Sequence, residues 1–124
     1  MLYSVSKGTY IDKIPHKSDY DRWRKNLSDN DLNIITQELN NKINNDEIHT
    51  SSWIPGSNWM GTVFEPLYWA CNQNEKAAAR FFGLILFKVI MERKYDTWAF
   101  GRYEKDGVPI EGLTYFKLKN PVNP

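Results

Sequence analysis

The segment 75–93 constrains the fold most strongly, because apolar side chains surround nearly the whole circumference of a helix drawn through it. From 77 to 91 only Arg80 and Lys88 carry charge. A helix that spans a bilayer needs about 20 consecutive apolar residues, and this run is shorter and charged. Since a helix that is apolar all round is covered from several sides, the pattern predicts a buried central helix with Asn74 as its N-cap.

Gly83 lies in the middle of the predicted central helix. Glycine at such a position costs about 1 kcal/mol of helix stability relative to alanine. It also lets a neighbouring backbone come near, because it has no Cβ. We therefore expect another element to pack closely against the helix at this residue.

Three further helices are indicated upstream of the central one. Ser18 or Asp19 can cap a short helix that runs to about residue 27. Ser28 can cap a second helix, whose apolar stripe has helical spacing: Leu32, Ile35, Leu39 and Ile43. Thr62 and Glu65 have the spacing of a capping box, which predicts a third helix from about 63 to 71.

The C-terminal residues 97–119 alternate in the manner of two strands around the turn residue Gly107. A two-stranded hairpin is marginally stable alone, so it needs a helix against one face. We therefore predict an α+β fold with about four helices. In this fold the buried central helix (about 75–93) packs on a small antiparallel sheet that includes the C-terminal hairpin (about 97–119).

The N-terminal residues 1–17 allow two interpretations within a chain of 124 residues, which suits a single domain, 1–124. Segments 2–5 and 9–14 can form short strands around the turn residues Lys7 and Gly8. Alternatively, residues 1–17 form a loosely packed arm. Pro15 ends regular structure in either case.

Charge and composition narrow the classes of function. The net charge is only +1, whereas a protein that neutralises phosphates carries an excess of Lys and Arg, so the charge argues against nucleic acid as a partner. Cys71 is the only cysteine, and the N-terminal residues lack the pattern of a signal peptide. We expect a cytoplasmic protein with no membrane segment and no cofactor. Abundant Asn is typical of AT-rich bacterial or phage coding sequences.

A cluster of basic residues between 13 and 25 is interrupted by acidic ones. The cluster contains Lys13, His16, Lys17, Arg22, Arg24 and Lys25. Mixed charges of this kind are typical of a solvated helix face, and we interpret the cluster in that way.

The most unusual segment is the aromatic and polar cluster at 49–69. It contains His49, Trp53, Trp59, Glu65, Tyr68 and Trp69. Such an inventory suits a pocket, which has apolar walls and a few placed polar groups. Arg102 on the first hairpin strand can face the same place. The alternative is structural, because Trp and Tyr also clamp an irregular segment to a small core.

Motifs for known chemistry are weak elsewhere. His16 and His49 lack the spacing of zinc ligands and Cys71 has no partner cysteine, so we predict no metal site. Ser51 and Ser52 lie near His49, but adjacency in sequence does not provide the geometry of a nucleophile and its base. Short hydroxyl side chains of this kind commonly satisfy loop backbone groups.

Three hypotheses of function follow. The first is a small non-enzymatic binding or protein-interaction domain that uses Trp53, Trp59, Tyr68 and Arg102, with a homo-oligomer or another protein as partner. The second is a small enzyme with His49 as general acid or base and Glu65 as its partner. The third is a nucleic-acid-associated regulator from a mobile element.

Overall fold

The computed structural model describes residues 1–5, 7–45, 48–50, 60–101, 104–105, 108–109 and 114–118. The helices of these residues are α1 (Lys17–Arg24), α2 (Asp29–Asn45), α3 (Glu65–Ala70) and α4 (Glu75–Met91). The strands are β1 (Leu2–Ser4), β2 (Thr9–Ile11), β3 (Ile48–Thr50), β4 (Trp98–Gly101), β5 (Glu104–Lys105), β6 (Val108–Pro109) and β7 (Thr114–Lys117). The predicted α+β fold class is confirmed.

Helix α4 lies at the centre of the core, as its apolar circumference predicts. Nine of its residues are buried: Ala78, Phe81, Phe82, Leu84, Ile85, Leu86, Phe87, Val89 and Ile90. Aromatic rings join it to three neighbours at centroid distances of 5.8, 5.3 and 5.3 Å: Phe81 to Tyr20 of α1, Phe82 to Phe64 before α3, and Phe87 to Phe100 of β4. Helix α2 packs on it as well, so the central helix is covered from several sides.

Side-chain caps begin two of the helices where the sequence predicts them. The Asn74 Oδ1 accepts a hydrogen bond of 3.0 Å from the Ala77 N–H at the start of α4. The Ser28 Oγ accepts one of 3.1 Å from the Asp31 N–H at the start of α2. Both bonds satisfy amides that a helix N-terminus leaves without an intrahelical partner.

The main sheet has five strands in the order β2-β1-β4-β7-β3. Strands β4 and β7 form the predicted C-terminal hairpin, and β5 pairs with β6 in a separate ribbon within its connection. The sheet is mixed rather than wholly antiparallel, because β1 runs parallel to β4. Parallel neighbours need a long crossover connection, and the four helices lie in the stretch of chain between these two strands.

Two short strands, β1 and β2, pair within the N-terminal residues. Leu2 is fully buried and is the register partner of Trp98 in β4. The Trp98 N–H also donates a hydrogen bond of 2.9 Å to the carbonyl of Met1. Apolar burial and backbone pairing therefore hold β1 inside the sheet.

One row across the sheet faces α4 and positions the site described below. Ser4 of β1, Phe100 of β4 and Tyr115 of β7 are successive register partners. Partners in register point to the same face of a sheet. The contact between the rings of Phe100 and Phe87 shows that this face lies against α4.

None of the helices described combines the length and the apolar character that crossing a membrane requires.

Candidate functional site

The aromatic and polar cluster at 49–69 lies only partly within the described residues. His49 is in edge strand β3, where its backbone is the register partner of Tyr115. Glu65 is the first residue of α3 and is half-buried. Trp53, Trp59 and Arg102 lie outside the described residues, so a shared pocket for these side chains stays a prediction.

Tyr68 is a half-buried residue of α3. Its ring meets that of Trp69 edge to face, with centroids 5.5 Å apart. Trp69 itself is 50% exposed, so this pair lies at the surface of α3. The arrangement is compatible both with a binding role and with a structural clamp.

Cys71 ends α3 and is buried. Burial raises the pKa of its thiol to about 11. Because the thiolate is the nucleophilic form, a thiol with this pKa is almost wholly protonated at neutral pH. The structure therefore supports the role of a small apolar side chain.

A cleft of about 970 Å³ lies elsewhere, between the β1–β2 hairpin and α4. We call it the hairpin–helix cleft. It is lined by the hairpin, the segment from Asp12 to His16, one face of α4, and two residues of the sheet, Phe100 and Tyr115. This volume falls within the range that is typical of small-molecule sites.

The floor of the cleft is apolar and aromatic. Leu84 and Phe87 of α4 and Tyr115 of β7 are buried, and Phe100 is half-buried. The ring centroid of Phe100 lies 5.3 Å from that of Phe87 and 6.3 Å from that of Tyr115. Burial raises the pKa of the Tyr115 hydroxyl well above its ordinary value, so this side chain adds no negative charge to the floor.

The rim of the cleft is positively charged. Lys7, Lys13 and Arg80 line it and are exposed, and among the described residues of the lining Asp12 is the one carboxylate. Counted over the lysine, arginine and carboxylate side chains alone, the local charge is +2. Within the described ranges, no carboxylate lies within ion-pair distance of Lys7, Lys13 or Arg80. A cleft lined by one sign of charge concentrates ligands of the other sign.

His16 forms a corner of the rim in an uncommon backbone conformation. Its φ of 51° and ψ of 44° are left-handed, a region in which His is enriched among residues other than glycine. Its carbonyl accepts hydrogen bonds from the Asp19 and Tyr20 amides at 3.0 and 3.2 Å. Helix α1 thus begins after His16 rather than after Ser18 or Asp19. The His16 side chain makes no capping hydrogen bond.

Gly83 faces the hairpin–helix cleft. Among the residues that the structure describes, a Cβ built at this position meets no atom of another element within 4 Å. The expectation that another element packs closely here is therefore wrong, because the glycine borders open space rather than a neighbouring backbone.

The basic cluster between 13 and 25 divides into two parts. The interpretation as a solvated helix face holds for Lys17, which pairs with Asp21 at 3.0 Å, and for Arg22, which pairs with Asp19 at 3.0 Å. Lys13 and His16 instead line the cleft. They precede α1, so the helical pattern of charges does not extend to them.

Sequence reasoning missed the cleft, although one signal points to it. Arg80, Gly83, Leu84 and Phe87 recur at the spacing of a single helix face, and this face combines a cation, a missing side chain and two apolar residues. The opposite wall could not be foreseen, because β1 and β2 reach α4 only through pairing with β4.

In the part of the chain that the structure describes, no group of three His, Cys, Asp or Glu side chains is arranged to hold a metal ion. Comparison with models of known protein families, with curated proteins and with solved structures found no match. We therefore infer a function from the chemistry of the residues that line the cleft.

Proposed function

We propose that this chain is a non-enzymatic binding domain that holds a small amphiphilic anion in the hairpin–helix cleft. The observation that carries the proposal is the set of three exposed cations, Lys7, Lys13 and Arg80, above a floor of buried apolar and aromatic side chains. An anionic group would lie at the rim, and an apolar body would lie on the floor. The proposal keeps the non-enzymatic binding function that the sequence favours, but it places the binding site in the hairpin–helix cleft instead of the cluster at 49–69.

The magnitudes indicate that charge would select the ligand. An aromatic body buries roughly 200 Å², which contributes about 5 kcal/mol at 25 cal/mol per Å². Association itself costs at least about 4 kcal/mol. The floor alone would therefore bind weakly, and the rim would decide which apolar molecules remain bound.

Arg80 is the cation best placed to bind the anion. It lies on the same helix face as Leu84 and Phe87 of the floor. Its guanidinium can also bind a carboxylate or sulfonate through two parallel hydrogen bonds. Lys13 and Lys7 would approach the same group from the opposite wall.

The test compares two fluorescent probes that share an apolar body. We would titrate the protein with 8-anilinonaphthalene-1-sulfonate and with its neutral analogue N-phenyl-1-naphthylamine. We expect the sulfonate to bind about tenfold more tightly, because three ion pairs at an exposed rim contribute about 1.4 kcal/mol in total. Its affinity would fall as salt is raised from about 0.01 to 0.15 M, because this change shortens the Debye length from about 30 to about 8 Å and screens the ion pairs.

Charge variants identify where the probe binds. Arg80→Gln and Lys13→Gln should each weaken the sulfonate about 2- to 5-fold and leave the neutral analogue unchanged. The matched control is Lys25→Gln, which removes the same charge from an exposed position outside the cleft. Equal affinity of the two probes, or equal effects of all three substitutions, would contradict the proposal.

A further inference from the structure

We infer that Gly83 determines the size of the ligand, and that the ligand is a carboxylate whose apolar body extends along α4 from Arg80 to Phe87. This inference rests on the proposed function. The cations of the rim would bind anions of different size alike, and Gly83 would select among these anions by the size of their apolar body.

The fold does not require glycine at position 83. The residue lies within the 17 residues of α4, where alanine is the more favourable choice. Its φ is not in the left-handed region, and an added Cβ meets no atom of another described element within 4 Å. Neither backbone conformation nor close packing therefore explains the missing side chain.

The missing side chain at position 83 changes the shape of the cleft. Gly83 lies between Arg80 and Phe87 on one face of α4, and all three line the cleft. With a rise of 1.5 Å per residue, Arg80 and Phe87 are about 10 Å apart along the helix axis. The absence of a side chain at 83 joins the space beside Arg80 to the space above Phe87.

A molecule that fills this space needs an anionic end and an apolar body. Its anionic end would bind Arg80, and carboxylates match the guanidinium through two parallel hydrogen bonds. Its body would cross the bare backbone at Gly83 and end against Phe87 and Phe100, whose rings are 5.3 Å apart. A fused aromatic acid and a medium-chain fatty acid share this chemistry, so the test includes one of each.

The experiment measures calorimetric affinities of benzoate, 2-naphthoate and decanoate for the wild type, Gly83→Ala and Gly83→Leu. Benzoate is short enough to remain beside Arg80, so its affinity should change less than about 3-fold. For Gly83→Leu we expect at least a tenfold loss for 2-naphthoate, for decanoate or for both, because single methylenes alter binding in apolar pockets by about 10- to 200-fold. The larger loss identifies which body the cleft prefers.

A second readout separates ligand selection from a structural role. Gly83→Ala should raise Tm by roughly 3–6 °C, because alanine favours the helix and the space is open. The control for Gly83→Leu is Ala79→Leu, which places a leucine at an exposed position of α4 outside the cleft. This control should leave the affinities for all three acids unchanged.

Two results would overturn the inference. One is wild-type affinity of Gly83→Leu for both long acids, and the other is an equal loss for benzoate, which would indicate general distortion of the cleft. Failure of the proposed function looks different, because the wild type itself would then not distinguish the sulfonate probe from its neutral analogue.

Discussion

Arg93 holds Asp96 through both carboxylate oxygens, with Nε 3.0 Å from each and Nη2 2.8 Å from Oδ2. The same guanidinium donates to the side-chain oxygens of Asn40 and Asn44 of α2, each at 2.6 Å. It therefore joins the end of α4 and the chain before β4 to helix α2. The side chains of Arg93 and Asp96 are only 16% and 10% exposed, so their pairing is shielded from solvent.

Asp96→Asn should lower the free energy of unfolding by about 2–4 kcal/mol, since it leaves the Arg93 guanidinium without its counter-charge in a shielded position. Urea denaturation at neutral pH measures the change. Lys88→Gln is the control, because it breaks the exposed pair of Lys88 and Glu92 on the same helix and should cost less than about 1 kcal/mol. Similar losses for both variants would contradict a special role for the Arg93 pair.

Stability should also depend on Asp96 in acid. Burial alone would raise the pKa of this carboxyl, but the hydrogen bonds from Arg93 and the charges of Arg93 and Lys117 outweigh it, so the pKa is lowered from 3.8. The stabilisation is thus present above pH 3.8 and is lost as the pH falls from there through the lowered folded pKa. Wild-type stability should fall more steeply than that of Asp96→Asn in this window. Parallel curves from acid titration of both proteins would count against the assignment.

Cys71 should react slowly with a thiol reagent in the native protein. With its pKa raised from 9.0 to about 11, the thiolate fraction at pH 8 is about 100-fold smaller than for an exposed cysteine, and burial restricts access further. Labelling at pH 8 should be at least about 100-fold slower than in guanidinium chloride, where the chain is unfolded. Comparable rates would show that the thiol is accessible.

Truncation of the central helix tests the core. Phe82 is 1% exposed and Leu86 is fully buried, so Phe82→Ala and Leu86→Ala should each cost about 3–5 kcal/mol, from lost transfer energy and the cavity left behind. Ile34→Ala is the control, because Ile34 of α2 is 42% exposed and should cost less than about 1 kcal/mol. Denaturant midpoints of the three variants provide the comparison.

The α3–α4 connection contains a position that glycine should stabilise. Gln73 has a φ of 63°, a left-handed conformation that costs roughly 1–2 kcal/mol for a residue with a Cβ. After the entropy that glycine adds to the unfolded chain, Gln73→Gly should still gain about 0.5 kcal/mol. The same substitution at Gln37, within α2 and exposed, should instead cost about 1 kcal/mol. Thermal unfolding of both variants should therefore shift in opposite directions.

What the sequence could predict depended on local signals. The caps at Ser28 and Asn74 and the apolar circumference of α4 involve residues a few positions apart, and these predictions are confirmed. The parallel pairing of β1 with β4 joins segments at opposite ends of the chain, and no local pattern specifies it. The sheet was therefore predicted as antiparallel.

The cleft was missed for a related physical reason. Glycine in a helix has the same sequence signature whether a backbone approaches it or a cavity borders it, and only the surroundings of Gly83 distinguish the two. Lys13 and Arg80 likewise line the same cleft only because the pairing of β1 with β4 places the hairpin beside α4. The predictions for His49, Glu65, Trp53, Trp59 and Arg102 as a shared site stay predictions.

The pairing of Leu2 with Trp98 imposes an order on the synthesis of this protein. Residues 5–97 separate the two strands, so β1 leaves the ribosome roughly 5–20 s before its partner at ordinary rates of elongation. During that interval the N-terminal strand has no parallel neighbour, while the helices between can already pack. The wall of the cleft that the hairpin supplies therefore gains its parallel neighbour only after the four helices between the two strands have been synthesised.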